Sequence, residues 1–146
     1  MHIAPFDNQN KPIVDLDDET VPLNYFNIVK LKKGDAFEDT TPGYETCIVP
    51  ATGSIEVNVE GFKADDLGGR VEDVWGGEPE GVYVPTAAKA EFVCTSDEAE
   101  IFVAGARYDK VLEAFAVRSD ELDLVQYGSD ETKTHRKIKH ILGTKY

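Results

Sequence analysis

Short alternating segments separated by turn residues constrain the fold of this chain more than any other feature. In residues 54–62, Ile55, Val57 and Val59 alternate with polar residues, which is typical of a half-buried β-strand. This pattern predicts an all-β fold of roughly seven to nine short antiparallel strands, arranged as a sandwich or a barrel. Further short apolar or β-rich segments occur at residues 25–31, 46–51, 70–75, 81–85, 90–95 and 100–106.

Changes in composition along the chain indicate one domain with two extensions. Residues 1–22 are polar, acidic and proline-containing, and we expect them to form an extended arm. Residues 23–118 hold the predicted barrel strands, and glycine-containing stretches such as 65–69 are predicted turns. Residues 119–146 form a C-terminal extension, in which Ser119 is placed to cap a short helical turn.

Charge and hydropathy argue against several classes of function. The net charge of −13 repels nucleic-acid phosphates and anionic membrane surfaces, so neither is an expected partner. No apolar run reaches the ~18 residues of a transmembrane helix, and the N-terminus lacks the pattern of a signal peptide. Cys47 and Cys94 lie in apolar runs and are expected to be buried, reduced thiols, which favours a cytoplasmic location.

The last segment is basic, in contrast to the rest of the chain. Residues 132–145 contain four lysines, one arginine and two histidines, and no Asp or Glu. We expect a surface strand that lies across the acidic body of the same chain or of a neighbour. A binding site for phosphate or carboxylate is the alternative.

A stretch bounded by Gly34 and Gly53 has the spacing of a metal-binding barrel motif, G-(x)5-H-x-H-(x)3,4-E-(x)6-G. Alternate residues of a strand share a face, so H-x-H points both imidazoles inward, where a first-row metal accepts them. This motif and a second one, G-(x)5-P-x-G-(x)2-H-(x)3-N, are found in cupins, and Pro85 fits the proline of the second motif. The spacing is therefore similar to that of a cupin-type jelly-roll barrel with a single domain.

The four ligand places of these motifs fall on residues that do not bind such a metal. They are Thr40, Pro42, Thr46 and Ala90, and Glu45 lies one residue out of register with the glutamate. A slip of one residue turns a strand side chain to the other face. We therefore expect no metal and no other cofactor in this barrel.

A longer resemblance covers about residues 25–142. The segments "FNIVKLKKGDAFEDTTPGYETCIVPATGSIEVNVEG", "GVYVPTAAKAEFVCTSDEAEIFVAGA" and "EAFAVRSDELDLVQYGSDETKTHRKIKHIL" resemble the first barrel of 5-deoxy-glucuronate isomerase and its bridge to a second barrel. That enzyme is a bicupin of bacterial inositol catabolism, and 4-deoxy-L-threo-5-hexosulose-uronate isomerase is a more distant relative. The resemblance implies aldose–ketose isomerisation of a sugar acid, with a divalent metal held in the second barrel.

No residue of this chain matches the metal ligands of that second barrel, so no catalytic residue is assigned. The resemblance thus implies a metal-free barrel that is non-catalytic by itself. The alternative is a stand-alone cupin that binds a small ligand or a protein partner without enzymatic activity.

Five residues are candidates for binding a sugar acid. Glu72, Trp75 and Tyr83 are expected to line the barrel, where an aromatic ring stacks on a sugar face. Arg70 is a candidate partner of a uronate carboxylate, and Glu45 is a candidate for the barrel mouth. The alternatives are that Trp75 and Tyr83 are ordinary core or interface aromatics and that Glu45 is a solvated loop carboxylate.

A small β-barrel with an N-terminal arm and an additional C-terminal strand has unpaired sheet edges, which proteins usually cover. We therefore expect a homodimer or a higher homo-oligomer, because symmetric dimers are the commonest assembly.

Overall fold

The computed structural model describes residues 9–143 and confirms an all-β fold. Within these residues no helix is present, and so none that could span a membrane. Eight strands build the barrel and two form a separate ribbon. They are β1 (Asn24–Lys32), β2 (Ala36–Thr40), β3 (Tyr44–Val59), β4 (Phe62–Arg70), β5 (Gly81–Val84), β6 (Lys89–Cys94), β7 (Glu98–Arg107), β8 (Phe115–Val117), β9 (Asp123–Tyr127) and β10 (Arg136–His140).

Strand β3 connects the two sides of the barrel. Its first half pairs with β7 and β5, and its second half pairs with β4 and β6. The strand order is β1-β7-β3-β5-β8 on one side, and β2-β6-β3-β4 on the other. The change of side falls at Gly53, which has a φ of +75° and whose missing side chain leaves room for the Glu98 carbonyl oxygen.

The core fills the space between these two sides. Ile55, Val57 and Val59 are buried, as their alternation in the sequence predicts. They pack in one cluster with side chains from most other barrel strands, including Val29, Ile48, Leu67, Val82, Phe92 and Ile101. The jelly-roll barrel is thus held by apolar contacts from both sides of β3.

Strand β4 and the loop after it differ from the prediction for residues 65–75. The predicted turn at 65–69 lies inside β4, and the predicted strand at 70–75 continues beyond Arg70 only as an exposed loop. Bulges explain the first difference: Gly68 and Gly69 adopt positive φ angles while Leu67 stays fully buried. The second difference arises because residues 71–75 have no strand partner in the described structure.

The described part of the N-terminal arm covers the outer edge of β1. The Asn10 side chain accepts a hydrogen bond from the Lys30 backbone N–H (2.8 Å) and donates one to the Lys30 carbonyl oxygen (3.1 Å). Val14 forms a β-bridge with Phe26. The arm thereby satisfies backbone groups of this sheet edge within the same chain.

The C-terminal extension forms the antiparallel β9–β10 ribbon. Lys139 of β10 makes an ion pair with Glu78, so the basic segment does contact the acidic body of its own chain. The prediction of a helical turn at Ser119 is wrong. In its place, the backbone turns once between Arg118 and Glu121, and the Ser119 N–H donates to Glu80.

Candidate functional site

A polar cluster lies inside the barrel where β2 ends and β3 begins. Asp39 is only 3% exposed, and its carboxylate accepts hydrogen bonds from the Tyr25 hydroxyl (3.4 Å) and the Thr46 hydroxyl (3.3 Å). Ala90, which is fully buried, is the cross-strand neighbour of Asp39. This cluster occupies the place where the motif spacing directs metal ligands.

The structure corrects two of the four ligand places. Thr46 and Ala90 face the interior as expected, but Thr40 and Pro42 are exposed. The inward side chains of this segment are Asp39 and Thr41.

The longer spacing of the motif, with four residues before its glutamate, would have found Asp39. Keeping the glutamate position at Thr46 then moves the two histidine positions onto Asp39 and Thr41. With this spacing only four residues, and not the required five, separate Gly34 from Asp39. The sequence alone therefore favoured the shorter spacing. The residue that sequence reasoning missed is therefore Asp39, the buried carboxylate at the motif position.

Burial controls the ionisation of this cluster. Burial raises the pKa of Asp39 above its ordinary value of 3.8, while the hydrogen bonds from Thr46 and Tyr25 lower it in part. Burial and the nearby Asp39 charge raise the pKa of Tyr25. The two groups therefore share a hydrogen bond in which the phenol keeps its proton.

The interior donors do not fit a divalent metal ion. Such an ion takes several carboxylate, imidazole or thiolate ligands. In the part of the chain that the structure describes, no three His, Cys, Asp or Glu side chains come together. The Asp39 carboxylate is hydrogen-bonded to the Tyr25 and Thr46 hydroxyls, and its cross-strand neighbour Ala90 offers no ligand atom.

Two of the predicted site residues, Glu45 and Tyr83, lie in contact. The Tyr83 hydroxyl donates a 2.6 Å hydrogen bond to the Glu45 carboxylate, and the Tyr83 ring stacks on Phe115 with a centroid distance of 5.0 Å. Burial, which has the larger effect, and the Glu45 carboxylate both raise the pKa of Tyr83. The neighbours of Tyr83 in β5, Val82 and Val84, belong to the core cluster, so Tyr83 and Glu45 lie on the outer face of the sheet.

The other three predicted site residues lie elsewhere. Only 7% of the Arg70 surface is exposed. Its guanidinium donates hydrogen bonds to the carbonyl oxygens of Pro50 (2.5 Å) and Val74 (3.4 Å). Glu72 and Trp75 are exposed in the loop between β4 and β5. The five residues are therefore not brought together, and Glu72 and Trp75 do not line the barrel. Ligand binding by any of the five stays a prediction.

A surface groove of about 580 Å³ lies apart from the Asp39 cluster. Three connecting segments line it, at residues 59–62, 85–88 and 111–114. Its charged lining residues are Glu60 and Glu113, with no Lys or Arg. The groove therefore suits a neutral or cationic ligand better than an anionic one.

The comparisons with known proteins agree with this fold and with the family resemblance. An IolB-like protein from Salmonella typhimurium LT2 has a similar structure, with a TM-score of 0.74 and 21% identity over 82% of this chain and 44% of the other. A putative glyoxylate-induced protein from Pseudomonas aeruginosa gives a TM-score of 0.58 with 14% identity, over 75% of this chain and 40% of the other. Protein Ylba from E. coli gives a TM-score of 0.54 with 19% identity, over 70% of this chain and 41% of the other.

The chain thus spans less than half the length of each of these three structures. No curated protein shows significant sequence similarity to it. The KduI/IolB family model, however, matches residues 2–146, which is almost the whole chain. The chain is a cupin domain that belongs to the KduI/IolB family.

Proposed function

We propose that this chain is the metal-free barrel of a sugar-acid isomerase of the KduI/IolB family and is non-catalytic by itself. The proposed reaction of the whole enzyme is the aldose–ketose isomerisation of 5-deoxy-glucuronate in inositol catabolism. Family membership and the resemblance of the sequence to the first barrel of that isomerase support this proposal. The role of this barrel would be packing, subunit contacts and a wall beside the active site.

The proposal rests on the Asp39 carboxylate, which is buried and already hydrogen-bonded within the barrel. Isomerisation moves a proton between adjacent carbons, which needs a base in reach of the substrate and a group that polarises its carbonyl. Asp39 is the carboxylate at the motif position, but it is buried and both its oxygens accept hydrogen bonds from Tyr25 and Thr46. The groove of about 580 Å³ does not reach it.

A turnover assay tests this proposal. The purified chain is incubated with 5-deoxy-glucuronate and Mn²⁺, Zn²⁺, Ni²⁺ or Fe²⁺, and the product is followed by NMR. We expect no conversion above the metal-only control. Turnover on the order of 1 s⁻¹ or faster, as ordinary enzymes show, would overturn the non-catalytic role, most clearly if Asp39→Ala abolished it.

A stand-alone binding protein is the second candidate, because the surface groove is large enough for a small molecule. Titration calorimetry separates the two proposals. Saturable binding of a neutral or cationic ligand that Leu112→Lys in the groove wall abolishes would favour the binding protein. The isomerase proposal expects no such binding by the chain alone.

A further inference from the structure

Arg70, at the end of β4, is a buried cation that is not bonded to a carboxylate. Burial lowers the pKa of its guanidinium. Both hydrogen bonds that it donates go to neutral carbonyl oxygens, those of Pro50 and Val74. Its Nε–H is buried as well and has no acceptor within residues 9–143. A buried charge is costly unless it is paired, so this guanidinium has donor capacity that a carboxylate would use.

The carboxylate of Glu78 acts on Arg70 but does not pair with it. Its negative charge raises the pKa of Arg70 and so opposes part of the effect of burial. Glu78 makes its ion pair with Lys139 of the ribbon instead. In the described part of the chain, no Asp or Glu oxygen lies within 4 Å of the Arg70 guanidinium nitrogens. The described residues thus supply no bonded counter-ion for this cation.

A cavity of about 380 Å³ lies beside Arg70. It shares no lining residue with the groove of about 580 Å³, and its volume is sufficient for a small ligand. Asp97 and Glu98, at the start of β7, also line it and are exposed. Asp97 lies 3.9 Å from the exposed Lys33, and Glu98 makes no ion pair within residues 9–143. The cavity therefore combines one cationic and two anionic side chains.

The two signs of charge lie apart from each other in this cavity. Among the described carboxylates, Glu78 is the one that acts on the pKa of Arg70, and Asp97 and Glu98 do not. A ligand with a carboxylate at one end and an ammonium group at the other would match this arrangement. Such a ligand has no net charge, so the net charge of −13 does not repel it as it would a simple anion.

We propose that the cavity beside Arg70 binds a small zwitterion, such as an amino acid. The ligand carboxylate accepts hydrogen bonds from the Arg70 guanidinium, and its ammonium group donates to the carboxylates of Asp97 and Glu98. Arg70 is already held in position, because the loop after β4 bonds to it at Val74 and packs against its Cγ at Gly77. A side chain that is fixed in this way loses little freedom on binding.

Titration calorimetry with glycine, 4-aminobutanoate and 6-aminohexanoate at pH 7 tests this site, because the three differ in the separation of their charges. The unsubstituted carboxylic acid and the alkylamine of the same chain length, which keep one charge each, are the controls. We expect at least one of the three amino acids to bind with a dissociation constant on the order of 1 mM. Its two controls should bind at least about tenfold more weakly.

Two variants identify the two ends of the site. Arg70→Met removes the guanidinium, and the amino acid should then bind no better than the alkylamine. Asp97→Asn/Glu98→Gln changes exposed residues and so keeps the fold, and the amino acid should then bind no better than the unsubstituted acid. Glu113→Gln, in the separate groove, should leave binding unchanged. Binding that persists in Asp97→Asn/Glu98→Gln, binding that Glu113→Gln abolishes, or no binding of any of the three amino acids would overturn the proposal.

Discussion

Asp39 and Ala90 are cross-strand neighbours in the β2–β6 pair, and both are buried in the barrel. Ala90 holds the place of a metal-binding histidine in the cupin motif and offers only a methyl group. The Asp39 carboxylate is satisfied by the Tyr25 and Thr46 hydroxyls. The stability of the barrel should therefore respond to the chemistry of Asp39 in ways that can be measured.

Removing the Asp39 carboxylate should destabilise the barrel. Asp39→Ala leaves the buried hydroxyls of Tyr25 and Thr46 without their acceptor, which costs about 1–3 kcal/mol of unfolding free energy. Urea denaturation at neutral pH measures this loss. Asp97→Ala, at an exposed carboxylate, is the control and should change stability by less than about 0.5 kcal/mol. A loss as small as that of the control would show that the cluster does not contribute to folding.

Asp39 should also give stability a distinctive dependence on pH. Its pKa in the folded chain lies above the ordinary value of 3.8, so the folded state binds this proton more tightly than the unfolded state does. Its contribution to stability therefore increases as pH falls from neutrality towards 3.8. Asp39→Asn should remove this component from urea denaturation curves recorded across that range. Identical pH slopes in the variant and the wild type would contradict the assignment.

Glu80 should show the opposite sign. Burial alone would raise the pKa of Glu80, but hydrogen bonds from the Gly68 and Ser119 N–H groups and from Arg118 hold it below its ordinary value of 4.5. Its contribution is complete above pH 4.5 and is lost as pH falls through the folded pKa.

Glu80→Gln should therefore cost about 2 kcal/mol of unfolding free energy at neutral pH, and the cost should shrink in acid. Glu113→Gln, an exposed residue outside this cluster, serves as the control. A cost that grows on acidification would exclude the proposed role of Glu80.

Gly53 and Gly61 form a matched pair for testing the bend in β3. Both have positive φ angles, +75° and +83°. A Cβ at Gly61 meets nothing within 4 Å, whereas one at Gly53 would collide with the Glu98 carbonyl oxygen and the Ser96 hydroxyl. Gly61→Ala should cost about 1–2 kcal/mol from backbone strain alone, and Gly53→Ala at least about 2 kcal/mol more. Equal losses in urea denaturation would mean that β3 does not need this close approach.

The two cysteines should react slowly in the native protein. Both are free, Cys94 is buried, and burial raises the pKa of Cys47 to about 12. At pH 8 the Cys47 thiolate would then make up about 0.01% of the thiol, against about a quarter for a free cysteine. A thiol-specific chromogenic disulfide should label neither cysteine quickly until urea is added. Rapid labelling of one thiol per chain without denaturant would show that the packing around Cys47 is open.

The sequence allowed the barrel, its core face and the inward positions of Thr46 and Ala90 to be predicted, because strands alternate with a period of two and both residues follow that period. Strand β2 could not be predicted from the sequence. Glu38 is exposed and Asp39 is buried, but both are acidic, so the segment shows no alternation of apolar and polar residues. Residues 70–75 alternate like a strand, yet strand pairing depends on a partner that local pattern does not reveal. The contact between Glu45 and Tyr83, 38 residues apart, likewise depends on the pairing of β3 with β5.

The central proposal is that this barrel holds no metal, and its most direct test is metal binding by the purified chain. The chain is dialysed against Mn²⁺, Fe²⁺, Ni²⁺ and Zn²⁺, freed of unbound ions and measured by elemental analysis beside Asp39→Ala. We predict far less than one equivalent of any metal, and the same amount in the variant. One equivalent per chain that disappears with Asp39→Ala would contradict the claim and place a working metal site in this barrel.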